Sequence, residues 1–509
     1  MSAAVAEHVY PSPMSRRLIT VSIMLATIMQ ALDTTIANVA LPHIQGSVAA
    51  AQDQISWVLT SYIVAAAIAT PLAGWLSGRY GRKLIFLCSV AGFTAASALC
   101  GLADSLAQIV LFRLLQGLCG AALIPLSQSV LLDINPPEKH GSAMAVWGMG
   151  IMVGPILGPA LGGWLTETYN WRWVFYINLP VGVLAFLGIA AFIHEHRHPE
   201  PRPFDFFGFA TLSLGVGALQ MMLDRGELKD WFGSTEIWGE FLLALLGFYL
   251  FIVHTATTEK SGFLDRALLK NRNFVAGNLV SFFTSIILYA TLSLLPTMLQ
   301  GLMGYPVITT GVVTAPRGMG TLVAMMLVGK MIGKVDIRLI LSIGLGVTIL
   351  AQWQMTGFSL LMGVSPIILS GITQGFGLGF IFVPLSVVSF STLDRSLRNE
   401  GTAIYGLVRN IGSSMGISIV EALLSENTQR AHASMIEHLR PDNPLASSLF
   451  QAGQSQLAML NAEVTRQAAM IAYIDDFHLM MIIAIASFPL LLLLRDASNG
   501  GAAKPPVME

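Results

Sequence analysis

The chain has 509 residues and a net charge of −1; only 11% of its residues are charged and 54% are hydrophobic. So little charge cannot cover the surface of a soluble protein of this length, and a near-neutral chain without basic blocks is not a nucleic-acid binder. Mean hydropathy is +0.67, and the apolar residues arrive in runs of about 20, the length that crosses a ~30 Å hydrocarbon core, so the expected fold class is an all-α membrane protein.

Fourteen such runs are predicted, near 18–40, 56–76, 84–103, 106–131, 141–165, 173–193, 205–224, 235–256, 273–299, 308–331, 338–356, 364–390, 401–424 and 477–494. The first follows Arg16 and Arg17 with no small-residue cleavage site behind it, which fits an uncleaved membrane helix. It carries Asp33, with Thr34 and Asn38 one turn apart. The second ends in GWLSGRYGRKLI (74–85), placing Gly74, Arg79, Gly81, Arg82 and Lys83 at one mouth of the bundle as a possible gate. The fourth carries Arg113 and, one turn on, Gln116 and Gly117. A charge inside a membrane helix is costly and marks a functional candidate. Asp33 and Arg113 each lie about seven residues from the same end of their helices, roughly 10 Å deep, so they can pair if the helices meet. A carboxylate alternating between that pairing and protonation would couple proton movement to conformation. Thr34, Asn38 and Gln116 read as cavity-lining or interhelical hydrogen-bonding groups.

The fifth run has a small-residue ridge, Gly154, Gly158, Gly162 and Gly163, with Pro155 and Pro159 beside it. Small residues at this spacing allow close helix contact and proline permits bending, so a hinge-like interface between halves is expected. After the sixth run, HEHRH (194–198) reads as a solvated loop rather than a metal site. Arg317 and Arg409 sit inside the tenth and thirteenth runs and need partners: carbonyls, substrate, or a carboxylate such as Glu421, which otherwise reaches water. The segment 425–476 is expected to be a long polar outer loop with helix-forming stretches. Cys88, Cys100 and Cys119 fall in apolar runs and read as packing residues. No cofactor, metal site or phosphate-binding loop is expected. The 24 methionines suit an adaptable apolar cavity or plain packing.

With the N-terminus inside, most of the 28 Lys and Arg residues fall on inner segments, against Arg172, Arg225, Lys229, Arg430, Arg440 and Arg466 outside. That bias predicts both termini in the cytoplasm.

An internal repeat is visible. GWLSGRYGRKLI (74–85) is echoed by GKMIGKVDIRLI (329–340), QGLCGAALIPLS (116–127) by QGFGLGFIFVPLS (374–386), and GSAMA (141–145) by GTAIY (401–405), in one order at offsets of 255 to 260. The implied layout is a six-helix half over 1–200, two added helices over 201–258, and a second half over 259–509 that includes 425–476. Parallel halves about a shared midplane site are a transporter architecture.

The chain resembles the fourteen-helix drug:proton antiporters of the major facilitator superfamily, and among them the EmrB-type exporters, from about 18 to 494. LDTTIANVALPHI (32–44) matches the family's first-helix motif and RLLQG (113–117) its fourth-helix motif, which implies coupling roles for Asp33 and Arg113. Gly154, Gly158, Pro159, Gly162 and Gly163 match the antiporter motif, with Ala145 departing at its leading glycine. IPLSQSVLLDINPPEK and NWRWVFYINLPVG strengthen the assignment. Gly78 stands where the family's gating acid precedes its arginine, while Arg79, Gly81 and Arg82 fit. The resemblance implies the major facilitator fold, proton-coupled export of small amphipathic molecules across the cell inner membrane, and a periplasmic adaptor and outer-membrane channel as partners, with 425–476 as a docking segment. Export of a dedicated metabolite such as a fatty acid or siderophore is the same-fold alternative. A polytopic membrane enzyme and a sensor or scaffold are the alternatives of other classes.

Overall fold

The computed structural model describes residues 10–51, 54–194, 203–258, 263–438 and 454–495. Among these residues, fourteen helices are long and apolar enough to span a membrane. They are α1 (Pro13–Ser47), α2 (Trp57–Tyr80), α3 (Arg82–Leu102), α4 (Leu106–Ile134), α5 (Pro137–Thr168), α6 (Trp173–Phe192), α7 (Phe206–Arg225), α8 (Thr235–Thr257), α9 (Arg272–Leu302), α10 (Thr309–Met331), α11 (Ile337–Thr356), α12 (Val364–Ser391), α13 (Arg398–Glu437) and α14 (Leu457–Leu493). The two expected junctions, near 200 and 258, fall on or against undescribed residues, as do four of the five residues of HEHRH.

Local sequence sets the breaks. Ser12 caps α1, its hydroxyl accepting from the Ser15 amide at 3.2 Å, with Pro13 opening the helix. Gly81 has φ 94°, a left-handed conformation that favours glycine, and it turns α2 straight into α3. α4 is interrupted at Ala121–Ala122, just ahead of Pro125, which has no N–H to bond back along the helix. α9 ends in a π turn, Met298–Leu302, behind Pro296.

Packing repeats at an interval of eight helices. Inside the first bundle α1 packs on α5 and α6, α2 on α4, and α3 on α4 and α6. Inside the second, α9 packs on α13 and α14, α10 on α12, and α11 on α12 and α14. The bundles meet where α2 lies on α13 and α5 on α10. α7 and α8 form a hairpin whose α7 packs on α2 and α13, beside that seam.

α13 and α14 differ from the expected limits. α13 continues to Glu437, and α14 begins at Leu457. At about 1.5 Å per residue α13 is ~60 Å long, twice a hydrocarbon core. Its continuation carries Arg430 paired with Glu426 one turn away. The facing continuation of α14 pairs Arg466 with Glu463 at 3.3 Å. His432 meets Asn461 Oδ1 across the two at 3.0 Å. Part of the expected loop 425–476 is therefore a projecting helical hairpin, polar outside and packed through Val464, Ala468 and Met470; residues 439–453 lie outside the described ones.

Candidate functional site

Asp33 lies in the interior of the first bundle, 1% exposed, as is Arg113. Arg113 Nη1 donates to Asp33 Oδ2 at 2.7 Å. The other carboxylate oxygen accepts from Gln116 Nε2 and from Asn178 Nδ2, each at 2.8 Å. Arg113 Nη1 also donates to Gln116 Oε1 at 2.8 Å, and Arg113 Nε to the Val58 carbonyl at 3.2 Å. Its guanidinium stands 4.2 Å from the centroid of the Tyr62 ring. Asn178 is held in turn by Ser97 Oγ at 3.0 Å. Five helices, α1, α2, α3, α4 and α6, thus converge on one carboxylate. Such a pair survives in low dielectric only with further hydrogen bonds around it, and here both carboxylate oxygens and the Nε and Nη1 groups of the arginine are engaged. Loss of the charge on Asp33 would leave Arg113, which cannot shed its proton, without a counterion.

Close backbone approach makes the convergence possible. A Cβ on Gly117 would stand 2.4 Å from the Tyr62 carbonyl oxygen. The glycines of α5 face the same way: a Cβ on Gly154 would stand 2.2 Å from the Ala31 carbonyl oxygen, and one on Gly158 2.0 Å from Thr35 Oγ1. Thr35 Oγ1 donates to the Gly154 carbonyl at 3.0 Å. Gly162 meets Ile36 and Val39 of α1, while Pro159 and Gly163 are half-buried. The ridge therefore seats α1 against α5 within one bundle, on either side of Asp33. It is not the contact between halves expected from its spacing. That contact uses other residues of α5: Ala145 beside Gly329, Gly148 beside Met325, Ile156 beside Gly318. A helix has a full circumference, and glycine spacing identifies a close seam without identifying the neighbour.

The second bundle repeats the centre without its charges. Gln374 Nε2 donates to Thr291 Oγ1 at 2.9 Å, as Gln116 does to Asp33; both pairs are 258 residues apart in the chain. At the same offset Gly371 stands for Arg113 and Gly375 for Gly117. A Cβ on Gly375 would stand 1.9 Å from the Arg317 carbonyl oxygen, so Arg317 sits at the repeat position of Tyr62. Arg317 is buried with Nη2 unbonded, and it does not meet Glu421, which is exposed and accepts from Ser293 Oγ at 2.9 Å. Arg409 lines a narrow cavity between the bundles with Trp147, Tyr289, Phe382 and the methionines Met144, Met152 and Met325. Its guanidinium stands 5.9 Å from the Trp147 ring. The cavity has room for about one water molecule, so this conformation is contracted around it. Thr34 and Asn38 are exposed on α1, and Thr34 Oγ1 bonds only within its own helix, to Ala31, at 2.9 Å.

One end of the cavity is sealed, the end where α1 begins. Arg398 Nη1 of α13 donates to Asp133 Oδ1 of α4 at 2.6 Å, and Arg82 pairs with the other oxygen of the same carboxylate. Ser129 Oγ and Asn399 Oδ1 lie 2.6 Å apart across the same seam. A Cβ on Gly74 would stand 2.9 Å from Glu400 Cα. Of the expected gate residues, Gly74 and Arg82 stand at the seal. Arg79 points away, exposed, its guanidinium 5.5 Å from the Trp75 ring. Lys83 donates to the Ala190 carbonyl within the first bundle at 2.6 Å. No acid stands at Gly78, and the carboxylate that Arg82 and Arg398 share at this seal is Asp133 of α4.

The Major Facilitator Superfamily model matches residues 23–417. The chain is 35% identical to the fatty acid resistance protein FarB of Neisseria gonorrhoeae over 491 residues, 95% of this chain and 97% of that one. It is 35% identical to the multidrug export protein EmrB of Haemophilus influenzae, over 91% of this chain and 92% of that one. The chain belongs to the major facilitator superfamily. Among solved structures, the proton:xylose symporter XylE shares the fold with a TM-score of 0.59 at 15% identity, over 92% of this chain and 95% of that one. The human organic anion transporter MFSD10 gives the same TM-score and identity over 93% and 100%.

In this major facilitator chain, three polar groups escaped the reading of the sequence. Asn178 sits inside NWRWVFYINLPVG and Asp133 inside IPLSQSVLLDINPPEK, segments noted there as wholes; a polar side chain at the edge of an apolar run was the available signal. Arg398 stands out in sequence only as part of the Lys/Arg bias, because nothing in one dimension shows that it crosses to α4.

Proposed function

We propose that the protein is a proton-coupled antiporter that exports small amphipathic molecules through the cavity between its two bundles. The buried Asp33–Arg113 pair, closed off by Gln116 and Asn178, carries this reading. In the ionised pair Asp33 holds α1 against α4 and α6. A proton arriving on Asp33 removes the attraction and strands the Arg113 charge, and the bundle relaxes by moving α1 and, through the glycine seam, α5. α5 lines the cavity and contacts α10, so the movement is passed to the interface between halves. Release of the proton on the other side restores the pair. Thr34 and Asn38 face the transport path, and Arg317 and Arg409 offer positive charge to cargo entering it. The Asp133–Arg398 link closes the cavity on the side where α1 begins.

The Lys/Arg bias supports a cytoplasmic location for that side and for both termini, in a bacterial inner membrane. The projecting α13–α14 hairpin then stands in the periplasm as the docking surface for an adaptor that leads to an outer-membrane channel. The junctions near 200 and 258 bound the two halves and the added hairpin.

The deciding experiment is transport in proteoliposomes under an imposed pH gradient, across a panel of amphipathic dyes, drugs and fatty acids, wild type beside Asp33→Asn. Gradient-driven flux is expected in the wild type and lost in the variant. Equal flux in both removes Asp33 from the mechanism, and product formation without a gradient points to an enzyme instead. The similarity to FarB over nearly its whole length supports fatty acids as the second cargo reading; flux confined to them would favour it.

A further inference from the structure

The second bundle has lost the acid of the first, since Thr291 stands where Asp33 does, yet it buries another. Asp476 of α14 is 0% exposed. Neither of its carboxyl oxygens has a hydrogen-bond partner among the described residues. It sits where the apolar stretch of α14 meets the projecting hairpin, a place that reads in sequence as the last residue of a polar loop. Its helix neighbours Tyr473, Phe477 and Met480 belong to an apolar cluster with Ile287 and Leu294 of α9 and Met355 of α11. The Phe477 ring lies 5.8 Å from that of Phe358.

The charged and titratable groups around it are few. Asp475, adjacent in the chain, is exposed, turned about 100° around α14 from Asp476. Tyr473 stands one turn away on α14, and Glu421 of α13 is engaged by Ser293 of α9 at 2.9 Å. Among the described residues no basic side chain of α9, α11 or α13 hydrogen-bonds to its carboxyl group. A carboxylate anion in such surroundings, without counterion or donor, costs several kcal/mol, and the group takes up a proton instead. Elsewhere in the bundle the polar centre is short of donors: Gln352 and Gln374 both donate to Thr291 Oγ1, at 3.2 and 2.9 Å, which leaves their Oε1 atoms unbonded. In a membrane helix a buried acid is a functional candidate by default, and carrying protons is one of the roles such acids take.

We propose that Asp476 is a second proton-binding site, protonated in the conformation described here, which gives up its proton when α14 moves against α9 and α11 during the cycle. This rests on the proton-coupled reading above only for the exchange step. The bound proton sits on a carboxyl oxygen and leaves to water through the hairpin side, so no other reactant is needed.

The test has two readouts on the full-length protein. In detergent, infrared spectra at neutral pH are compared for wild type and Asp476→Asn. Loss of a protonated-carboxyl C=O band in the variant is expected; an unchanged band overturns the proposal. In proteoliposomes, protons moved per substrate exported are counted. A lower count or a displaced pH profile in Asp476→Asn is expected. Loss of the band with both unchanged overturns exchange and leaves a static acid. Should Asp476→Asn not fold, Asp476→Glu keeps an acid, and its band must move relative to wild type; an unmoved band counts against the proposal. Asp33→Asn, run in parallel, separates the two claims, because its unimpaired transport defeats the efflux reading whatever the Asp476 band does.

Discussion

Asp33 and Arg113 are unequal partners. A carboxylate robbed of its arginine can neutralise itself with a proton, whereas a guanidinium robbed of its carboxylate stays charged. Removing one partner of a buried pair costs about 3–5 kcal/mol when the other stays ionised. Asp33→Asn is therefore expected to lower thermal stability in detergent more than Arg113→Gln, with both still folded. The double variant should regain much of the stability without regaining gradient-driven transport. Melting curves for the three proteins check the order, and a larger loss for Arg113→Gln would contradict it. Asp33 and Arg113 stood out in sequence because charge inside an apolar run is visible in one dimension. Asn178 did not, because it lies near the end of its apolar run, where a polar side chain ordinarily finds water.

At the scale of elements, the α1–α5 seam is set by atoms that cannot yield. A methyl on Gly154 meets a backbone carbonyl of α1, whereas one on Gly162 finds its nearest atom at 3.1 Å. Gly154→Ala is expected to cost about 1–3 kcal/mol, with Gly162→Ala costing less, both measured by thermal unfolding. The α7–α8 hairpin is clasped at its base by Asp205, which accepts from the amides of Gly208 and Phe263, each at 2.9 Å, and from His254 Nε2 at 2.8 Å. Burial alone would push its carboxyl up, but the Gly208 and Phe263 amides and then His254 hold it below the ordinary carboxylate range. A depressed value means that the unfolded state binds the proton first. The clasp contributes above about pH 4 and is lost as pH falls through the folded value. Faster amide exchange at the base of α7 and α8 is expected for Asp205→Ala at neutral pH, with the difference from wild type shrinking in acid. The extents of α13 and α14 were not legible from hydropathy. Their polar continuations are held as helices by packing on each other, through Ala468 and Met470, and that partner is invisible to a window on one segment.

For the whole molecule, the seal at the α1 end joins the bundles through Arg398, whereas Arg82 reaches the same carboxylate from within the first bundle. Arg398→Gln is expected to shift the population toward a conformation open at that end, by about tenfold for each 1.4 kcal/mol removed. Arg82→Gln should shift it less. Spin-label distances between the ends of α4 and α13, or thiol labelling at Ser129→Cys from that side, measure the shift. Equal opening by the two variants would show that the cross-bundle link does not govern the seal.

The number of spanning helices, the repeat that pairs α2 to α5 with α10 to α13, and the presence of Asp33 and Arg113 in adjacent-depth positions were determined by the sequence alone. Apolar run length, small-residue spacing and isolated charge are local properties, and the membrane rewards each of them directly. Tertiary structure decided which surfaces meet: that the glycines of α5 seat α1 rather than the other half, that Arg82 and Arg398 share the carboxylate of Asp133, and that Asp476 is buried rather than solvated. These depend on the direction in which each helix face points, and that direction is chosen by the packing of all the helices together.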